Sequence, residues 1–173
     1  VGFDNYLRLF KDELFGKAFL NTVKFAVIVV PLQLGGALLL ALGINKVTYC
    51  KKYFKVAFFI PVVMSLAVVS TLWMQLYNPE GLLNTILNNF GIASQPFIYG
   101  KEQALEAISI MSIWQGMGYQ MIIFLGGLQA ISPSLYEAAE IDSASEWKKF
   151  TNVTLPELKH ITIYILLTIT IGA

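Results

Sequence analysis

The stretch that decides the fold is an uncharged run of 23 residues, AISIMSIWQGMGYQMIIFLGGLQ, at positions 107–129. A helix rises about 1.5 Å per residue, so about 20 apolar residues cross the ~30 Å hydrocarbon core of a bilayer. Two further uncharged runs, at residues 25–44 and 56–76, contain 20 and 21 residues and meet the same requirement. The sequence therefore predicts three complete transmembrane helices.

A fourth apolar run, residues 161–173, has only 13 residues. At about 1.5 Å per residue it reaches about 20 Å, which is too short to cross. The chain also begins at Val1 without an initiator methionine. We therefore expect an all-α integral membrane fold in which residues 1–173 form one partial transmembrane domain, with three complete spans and the first half of a fourth.

Composition excludes several other classes of protein. Hydrophobic residues make up 56% of the chain and charged residues 13%, and the mean hydropathy is +0.64. Soluble domains carry about 25% charged residues, so a soluble or disordered chain is not expected. The net charge of +1 provides no basic field for nucleic acid. One cysteine, Cys50, and one histidine, His160, exclude a disulfide framework and the common metal sites, and we expect no cofactor.

Lysine and arginine in the loops indicate the orientation. The loops at residues 45–55 and 130–160 carry seven basic residues, against five on the other side. We therefore expect these two loops to be cytoplasmic.

Two segments outside the runs have apolar residues at three- and four-residue spacing, which is typical of helices that lie in the headgroup plane. Packing of these helices on other protein is an equal alternative. The residues of the two stripes are Phe3, Tyr6, Leu7, Phe10 and Leu14, and then Leu82, Leu83, Ile86, Leu87 and Phe90.

The loop at residues 130–160 carries the signals of a helix–turn–helix. Pro133 suits the first helical position after a Ser132 cap, and a helix is expected to end at about Ile141. Asp142 or Ser143 then caps a second helix, since Ser143 and Glu146 have capping-box spacing. Small residues lie between acidic ones and allow another protein to dock closely: Ala138, Ala139 and Ala144.

This loop resembles the EAA motif of permease subunits in bacterial ABC importers. The residues that match are Glu137-Ala138-Ala139, Asp142, Ala144 and Leu155-Pro156. Further residues resemble the maltose-type, carbohydrate-importing branch: Asn5-Tyr6, Pro31-Leu-Gln33, Phe58-Phe-Ile-Pro61, Asn78-Pro79, Ile113-Trp-Gln115 and Gly127-Leu-Gln129. The resemblance covers essentially the whole chain. It implies that the first span, most of the fifth and all of the sixth span of such a permease lie outside this sequence.

One position departs from the family pattern. The family usually has glycine where this chain has Ser143. Glycine tolerates a positive φ, whereas serine pays about 1 kcal/mol or more to adopt it. The turn at Ser143 is therefore either not left-handed or strained.

The resemblance implies a mechanism and a set of partners. The first loop helix would be the coupling helix, seated in a cleft on separate ATP-binding cassette subunits. The other implied partners are a second permease subunit, an extracytoplasmic solute-binding protein, the lipid bilayer of a bacterial inner membrane and a small carbohydrate substrate. The ATPase-coupling residues would be Leu135, Tyr136, Glu137, Ala138, Ala139, Asp142, Ser143 and Pro156.

The chain has no Gly-x-x-x-x-Gly-Lys-Ser/Thr phosphate loop. ATP hydrolysis is therefore expected on a separate subunit, and we expect no catalytic residue in this chain. For Glu137, the alternative to coupling is a solvated helix residue that pairs with Lys148 or another base.

Each complete span has a polar residue near its centre, namely Gln33, Ser65 and Gln115. Polar groups in hydrocarbon are costly unless they face a partner or a cavity. Gln115 with Trp114 and Tyr119 would suit a sugar, and these three are the candidate substrate path. Hydrogen bonding between helices is the alternative for all of these polar residues.

Two other classes of protein compete with this interpretation. A secondary transporter or channel fragment would predict charged residues within the spans, and the three complete runs contain none. An intramembrane enzyme would need a nucleophile with a base, and the single His160 lies at a membrane edge.

Overall fold

The computed structural model of the chain describes residues 2–173, and the side chains of Asp4, Tyr6 and Leu7 lie outside that description. All regular elements in the described part are helical, as the sequence predicts. The α-helices are α1 (Asp4–Lys11), α2 (Glu13–Lys46), α3 (Lys51–Val63), α4 (Leu66–Leu76), α5 (Leu82–Asn89), α6 (Ala104–Ala130), α7 (Pro133–Ile141), α8 (Glu146–Lys149), α9 (Leu155–Glu157) and α10 (Lys159–Gly172). A 3₁₀ turn at Phe97–Tyr99 precedes α6, and a π-helix at Phe150–Thr154 joins α8 to α9.

Two of the described helices, α2 and α6, are each long and apolar enough to cross a membrane. They contain the runs at residues 25–44 and 107–129, so these two predicted spans are confirmed. The buried stripe of α2 recurs every four residues, with Val29, Gln33, Ala37 and Ala41 on one face. Because two of these side chains are alanines, α6 packs closely along α2, and the two helices form the centre of the core.

The second run, at residues 56–76, is not the single continuous helix that its length predicts. It forms α3 and α4, which meet at an angle of 101°. Pro61, which has no backbone N–H to donate, lies in the last turn of α3. Ser65 is extended, with φ −65° and ψ 146°, and its side chain accepts a hydrogen bond from the Val68 N–H at 3.4 Å. The polar residue at the centre of this run is therefore the N-cap of a second helix, and the run is a broken span or a re-entrant segment.

The fourth run forms α10, whose 14 residues extend about 21 Å at the usual rise. A bend of 66° at Leu158 separates α10 from the helical segment before it. With each bent pair counted as one span, the described residues supply up to four spans.

Two glycines of α6 allow neighbouring helices to approach. A Cβ at Gly118 would collide with the backbone carbonyl of Phe58 in α3. A Cβ at Gly127 would collide with Ile161 and lie 2.9 Å from Cδ2 of Leu158. α3 and the start of α10 therefore cross α6 where α6 has no side chain.

The two amphipathic segments are helical but differ in detail from the prediction. The first stripe is divided, because α1 ends at Lys11 and Leu14 belongs to α2, whose N-cap is Asp12. Tyr6 and Leu7 lie outside the described side chains, while Phe3, Phe10 and Leu14 are exposed. On α5 and just beyond it, Leu82, Ile86 and Phe90 are exposed and Leu83 and Leu87 are half-buried. An interfacial position for both segments stays a prediction.

The connection between α4 and α6 is organised by Asn84, which is fully buried. Its side-chain NH₂ donates to the carbonyl oxygens of Asn78 and Gln95 at 3.2 and 3.0 Å. Its Oδ1 accepts from the Gln95 N–H at 2.7 Å. This buried amide replaces the backbone pairing that an irregular connection lacks.

Candidate functional site

The helix that carries the EAA-like residues has the predicted boundaries. α7 begins at Pro133, which occupies the first turn, and ends at Ile141. The Ser132 side chain makes no capping bond to the backbone. Its hydroxyl lies 2.8 Å from the hydroxyl of Ser134.

The turn after α7 is left-handed at Ser143, with φ 53°. The Ser143 N–H donates to the Glu140 carbonyl and the Ala144 N–H donates to the Ala139 carbonyl, both at 2.9 Å. These two bonds are the pair of a Schellman motif, in which the position of Ser143 is usually glycine. Of the two possibilities that the sequence left open, the strained left-handed turn is the one present.

The predicted cap of the second loop helix is wrong. Neither Asp142 nor Ser143 caps it, because α8 begins after Ser145, whose Oγ accepts from the Lys148 N–H at 3.4 Å. Pro156 lies inside α9, and the last apolar helix begins three residues later, at Lys159.

The predicted coupling residues divide between two environments on and after α7. The exposed ones are Leu135, Glu137, Ala138, Asp142, Ser143 and Pro156. Tyr136 and Ala139 are half-buried. The Tyr136 hydroxyl lies 2.9 Å from the hydroxyl of Thr154, which is 4% exposed. Tyr136 therefore faces its own chain, while the exposed set is available to another protein.

The loop also contains a three-residue charge cluster. Lys149 Nζ contacts Oε1 of Glu140 at 2.9 Å and Oε1 of Glu146 at 3.1 Å. The hydrogen bond to Glu140, and then that to Glu146, raises the pKa of the Lys149 ammonium above its usual value. The sequence offered Glu137 with Lys148 as the alternative pairing, whereas the ion pairs of the described loop join Lys149 to Glu140 and Glu146.

A cavity of about 210 Å³ lies between α2, α6 and α10. Gln33 and Gln120 line it and are 5% and 7% exposed, and Oε1 of Gln120 has no hydrogen-bond partner among the described residues. Gln115 also lines it. The complete lining is Val29, Gln33, Ser112, Gln115, Gly116, Gln120, Thr168, Ile169, Gly172 and Ala173.

Of the three predicted substrate-path residues, only Gln115 lines this cavity. Trp114 packs against Trp73 instead, with ring centroids 5.6 Å apart and planes at 70°. Tyr119 is 45% exposed and does not line the cavity. Gln120 was not among the residues predicted from the sequence, although its four-residue spacing from Gly116 and Ser112 places it on the same face of α6.

The site holds no arrangement for metal binding within the described part of the chain, where no group of three or more His, Cys, Asp or Glu side chains converges. The cavity lining has amide and hydroxyl groups and no ionisable side chain. The lining side chains can therefore form hydrogen bonds and carry no formal charge.

Curated relatives match almost the whole chain. The probable ABC transporter permease protein YurN of Bacillus subtilis (strain 168) is 34% identical over 98% of this chain and 60% of its own length. The lactose transport system permease protein LacF of Rhizobium radiobacter is 37% identical over 99% of this chain and 58% of its own length. The chain therefore spans about 60% of the length of these relatives.

A solved structure shares the fold. The crystal structure of a bacterial ABC transporter involved in the import of the acidic polysaccharide alginate contains a chain with a TM-score of 0.87 and 30% identity. That similarity covers 99% of this chain and 61% of the other. Residues 51–173 match the family described as the binding-protein-dependent transport system inner membrane component. This match includes α3 to α10 and the whole EAA-like loop, and the chain therefore belongs to the family of inner-membrane permease components of binding-protein-dependent transport systems.

Proposed function

We propose that this chain is the membrane-spanning part of a permease subunit in an ATP-driven sugar importer. The observation that carries the proposal is α7, a helix of the expected bounds that follows the spanning helix α6 and exposes Glu137 and Ala138. Relatives named for the transport of lactose, arabinooligosaccharides and sn-glycerol 3-phosphate support an importer of this kind. ATP hydrolysis belongs to a separate subunit, so the chain itself is not an enzyme.

The partners follow from the same assignment. The exposed face of α7 docks on an ATP-binding cassette subunit, and a second permease subunit completes the translocation path. A solved relative is the alginate ABC transporter in complex with an alginate-pentasaccharide-bound periplasmic protein, which supports a solute-binding protein as the donor of substrate. No observation in the described residues favours a secondary transporter or channel.

Docking through α7 is tested by two substitutions of exposed residues in the full-length permease, Glu137→Lys and Ala138→Trp. Charge reversal removes a charge-assisted contact, and the indole ring prevents close approach of the partner. Both variants are expected to lose co-purification with the ATP-binding subunit and to lose uptake. Glu102→Lys is the matched control, because Glu102 is also exposed but lies on the predicted opposite side of the membrane. Normal co-purification and uptake in both α7 variants would contradict the proposal.

We further propose that the cavity between α2, α6 and α10 is part of the substrate path. Its lining supplies three glutamine amides and two hydroxyls, which favours a neutral, hydroxyl-rich solute. In a Cys50→Ser background, Gln115→Cys is expected to react with a small water-soluble thiol reagent in at least one transport state, and substrate should slow the reaction. Ile122→Cys, seven residues along α6 and 38% exposed, is the control at another depth. An unreactive Gln115→Cys in both inward- and outward-facing states, with transport intact, would make Gln115 a helix-packing residue.

A further inference from the structure

Residues 146–158 form a bent helical segment between α7 and α10, which we call the elbow. It contains α8, the π-helix and α9, and it ends at Leu158, where the chain bends by 66° into α10. Leu158 is fully buried and lies against α6 at Gly127. The elbow is therefore continuous with α10 and is seated on a central helix.

Two side-chain contacts join α7 to the elbow. The Tyr136 hydroxyl lies 2.9 Å from the Thr154 hydroxyl, and the Glu140 carboxylate lies 2.9 Å from Lys149 Nζ. Tyr136 and Glu140 are four residues apart, so they project from one face of α7. Tyr136, the earlier of the two α7 residues, pairs with Thr154, and Glu140 pairs with Lys149, which lies five residues before Thr154 on the elbow. The order of the partners is therefore reversed, as it is between antiparallel segments. α7 is thus attached at two points along its length.

The two α7 residues that contact the elbow, Tyr136 and Glu140, are not among the exposed coupling residues. Glu137 and Ala138 are exposed, while Tyr136 is half-buried and packs against the hydrophobic core. Thr154 lies in the π-helix, a local irregularity often found at functional sites. The Lys149 side chain is only 15% exposed, whereas the side chains of Glu140 and Glu146 are 64% and 78% exposed. The Lys149 ammonium therefore lies close to the rest of the chain and keeps the carboxylates of Glu140 and Glu146 beside it.

We propose that Tyr136 is a positioning residue whose hydrogen bond to Thr154, together with the Glu140–Lys149 ion pair, fixes α7 to the elbow so that displacement of α7 reaches α10. This inference rests on the proposed function and reassigns Tyr136 from the docking surface to an internal contact. Residues 131–132 join α7 to α6 and residues 142–145 join it to α8, and these end connections by themselves would let α7 rotate about its own axis without moving the elbow. Two attachments along the helix remove that freedom, so α7, the elbow and the start of α10 move together over the Gly127 contact.

The test uses the assembled importer reconstituted in proteoliposomes, with Tyr136→Phe, Thr154→Val and the double variant. The quantity measured is the number of substrate molecules imported per ATP hydrolysed. Each single variant is expected to lower this ratio about 3-fold, while the subunits still co-purify in normal amounts. The double variant should be no worse than the lower single variant, because both substitutions remove the same bond. Thr154→Ser keeps a hydroxyl and should retain the wild-type ratio.

Two control variants separate attachment from general damage. Thr151→Val removes a hydroxyl that donates to carbonyls within the elbow, those of Trp147 and Lys148, and Tyr53→Phe removes one on an exposed ring. Both should retain the wild-type ratio. An unchanged ratio in Tyr136→Phe and Thr154→Val, or independent additive losses in the double variant, would overturn the proposal. A wild-type complex that imports no substrate at all would instead refute the proposed function, so the two failures are distinguishable.

Discussion

The crossing of α3 over α6 at Gly118 allows a quantitative prediction for Gly118→Ala. The added Cβ would collide with the Phe58 carbonyl oxygen, lie 2.8 Å from the carbonyl carbon and lie 3.3 Å from Cα of Phe59. Carbon atoms in contact prefer a separation of about 3.5–4.0 Å, so the two helices must separate by roughly 1 Å. All three neighbours are backbone atoms, which cannot rotate away.

The cost of Gly118→Ala follows from these contacts. Overpacking a well-packed site costs about 1–3 kcal/mol, and an obstacle made of backbone places this site near 3 kcal/mol. Alanine regains about 1 kcal/mol of helix propensity over glycine. The net expected destabilisation is about 2 kcal/mol.

Gly126→Ala is the matched control on the same helix. Gly126 is exposed, and a Cβ there meets nothing within 4 Å. The control is therefore expected to be neutral or more stable by up to about 1 kcal/mol. The assay is unfolding of the purified full-length protein in mixed micelles with increasing SDS, followed by tryptophan fluorescence. Equal midpoints for Gly118→Ala and Gly126→Ala would refute the backbone-contact argument and the crossing on which it rests.

Two further substitutions test local features in the same unfolding assay. Ser143→Gly should stabilise the protein by about 0.5–1 kcal/mol. The substitution removes the cost of a left-handed serine, about 1–2 kcal/mol, and adds the entropy cost of ordering a glycine, about 0.5–1 kcal/mol. Ser143→Val should destabilise it, and the opposite order would show that the turn carries no strain. Asn84→Ala should cost about 2–4 kcal/mol, because it removes three hydrogen bonds and leaves the partner groups of the half-buried Gln95 unpaired. The exposed Asn89→Ala should change little, and similar losses in both variants would contradict the role of Asn84.

The spans differ in how far the sequence could predict them. α2 and α6 follow from length and apolar composition alone, because nothing interrupts either helix. The run at residues 56–76 has the same composition, yet it breaks at Ser65. A hydropathy count measures transfer from water to lipid and does not report helix continuity. A serine can stay within a helix or cap a new one, and the residue type alone does not distinguish these outcomes.

The loop shows the same limit at the level of single residues. The capping-box spacing from Ser143 to Glu146 favoured Ser143 as the N-cap, whereas the N-cap in the structure is Ser145. An N-cap residue requires extended backbone, which Ser145 has at φ −64° and ψ 160°. Ser143 cannot supply it, because the end of α7 already uses that residue in the left-handed conformation. One residue cannot adopt both backbone conformations, so the C-terminus of α7 determines where α8 begins.

The cavity depends on contacts that no single segment contains. Helical spacing places Ser112, Gln115 and Gly116 on one face of α6, which the sequence alone could show. It could not show that Gln33 of α2 faces Gly116, where an added Cβ would collide with the Gln33 amide. The absence of a side chain at Gly116 leaves room for that amide beside α6, and α10 contributes Thr168 to the cavity wall. The polar lining is thus a product of helix packing, and Gln115 becomes a candidate for substrate contact because three helices meet at its depth.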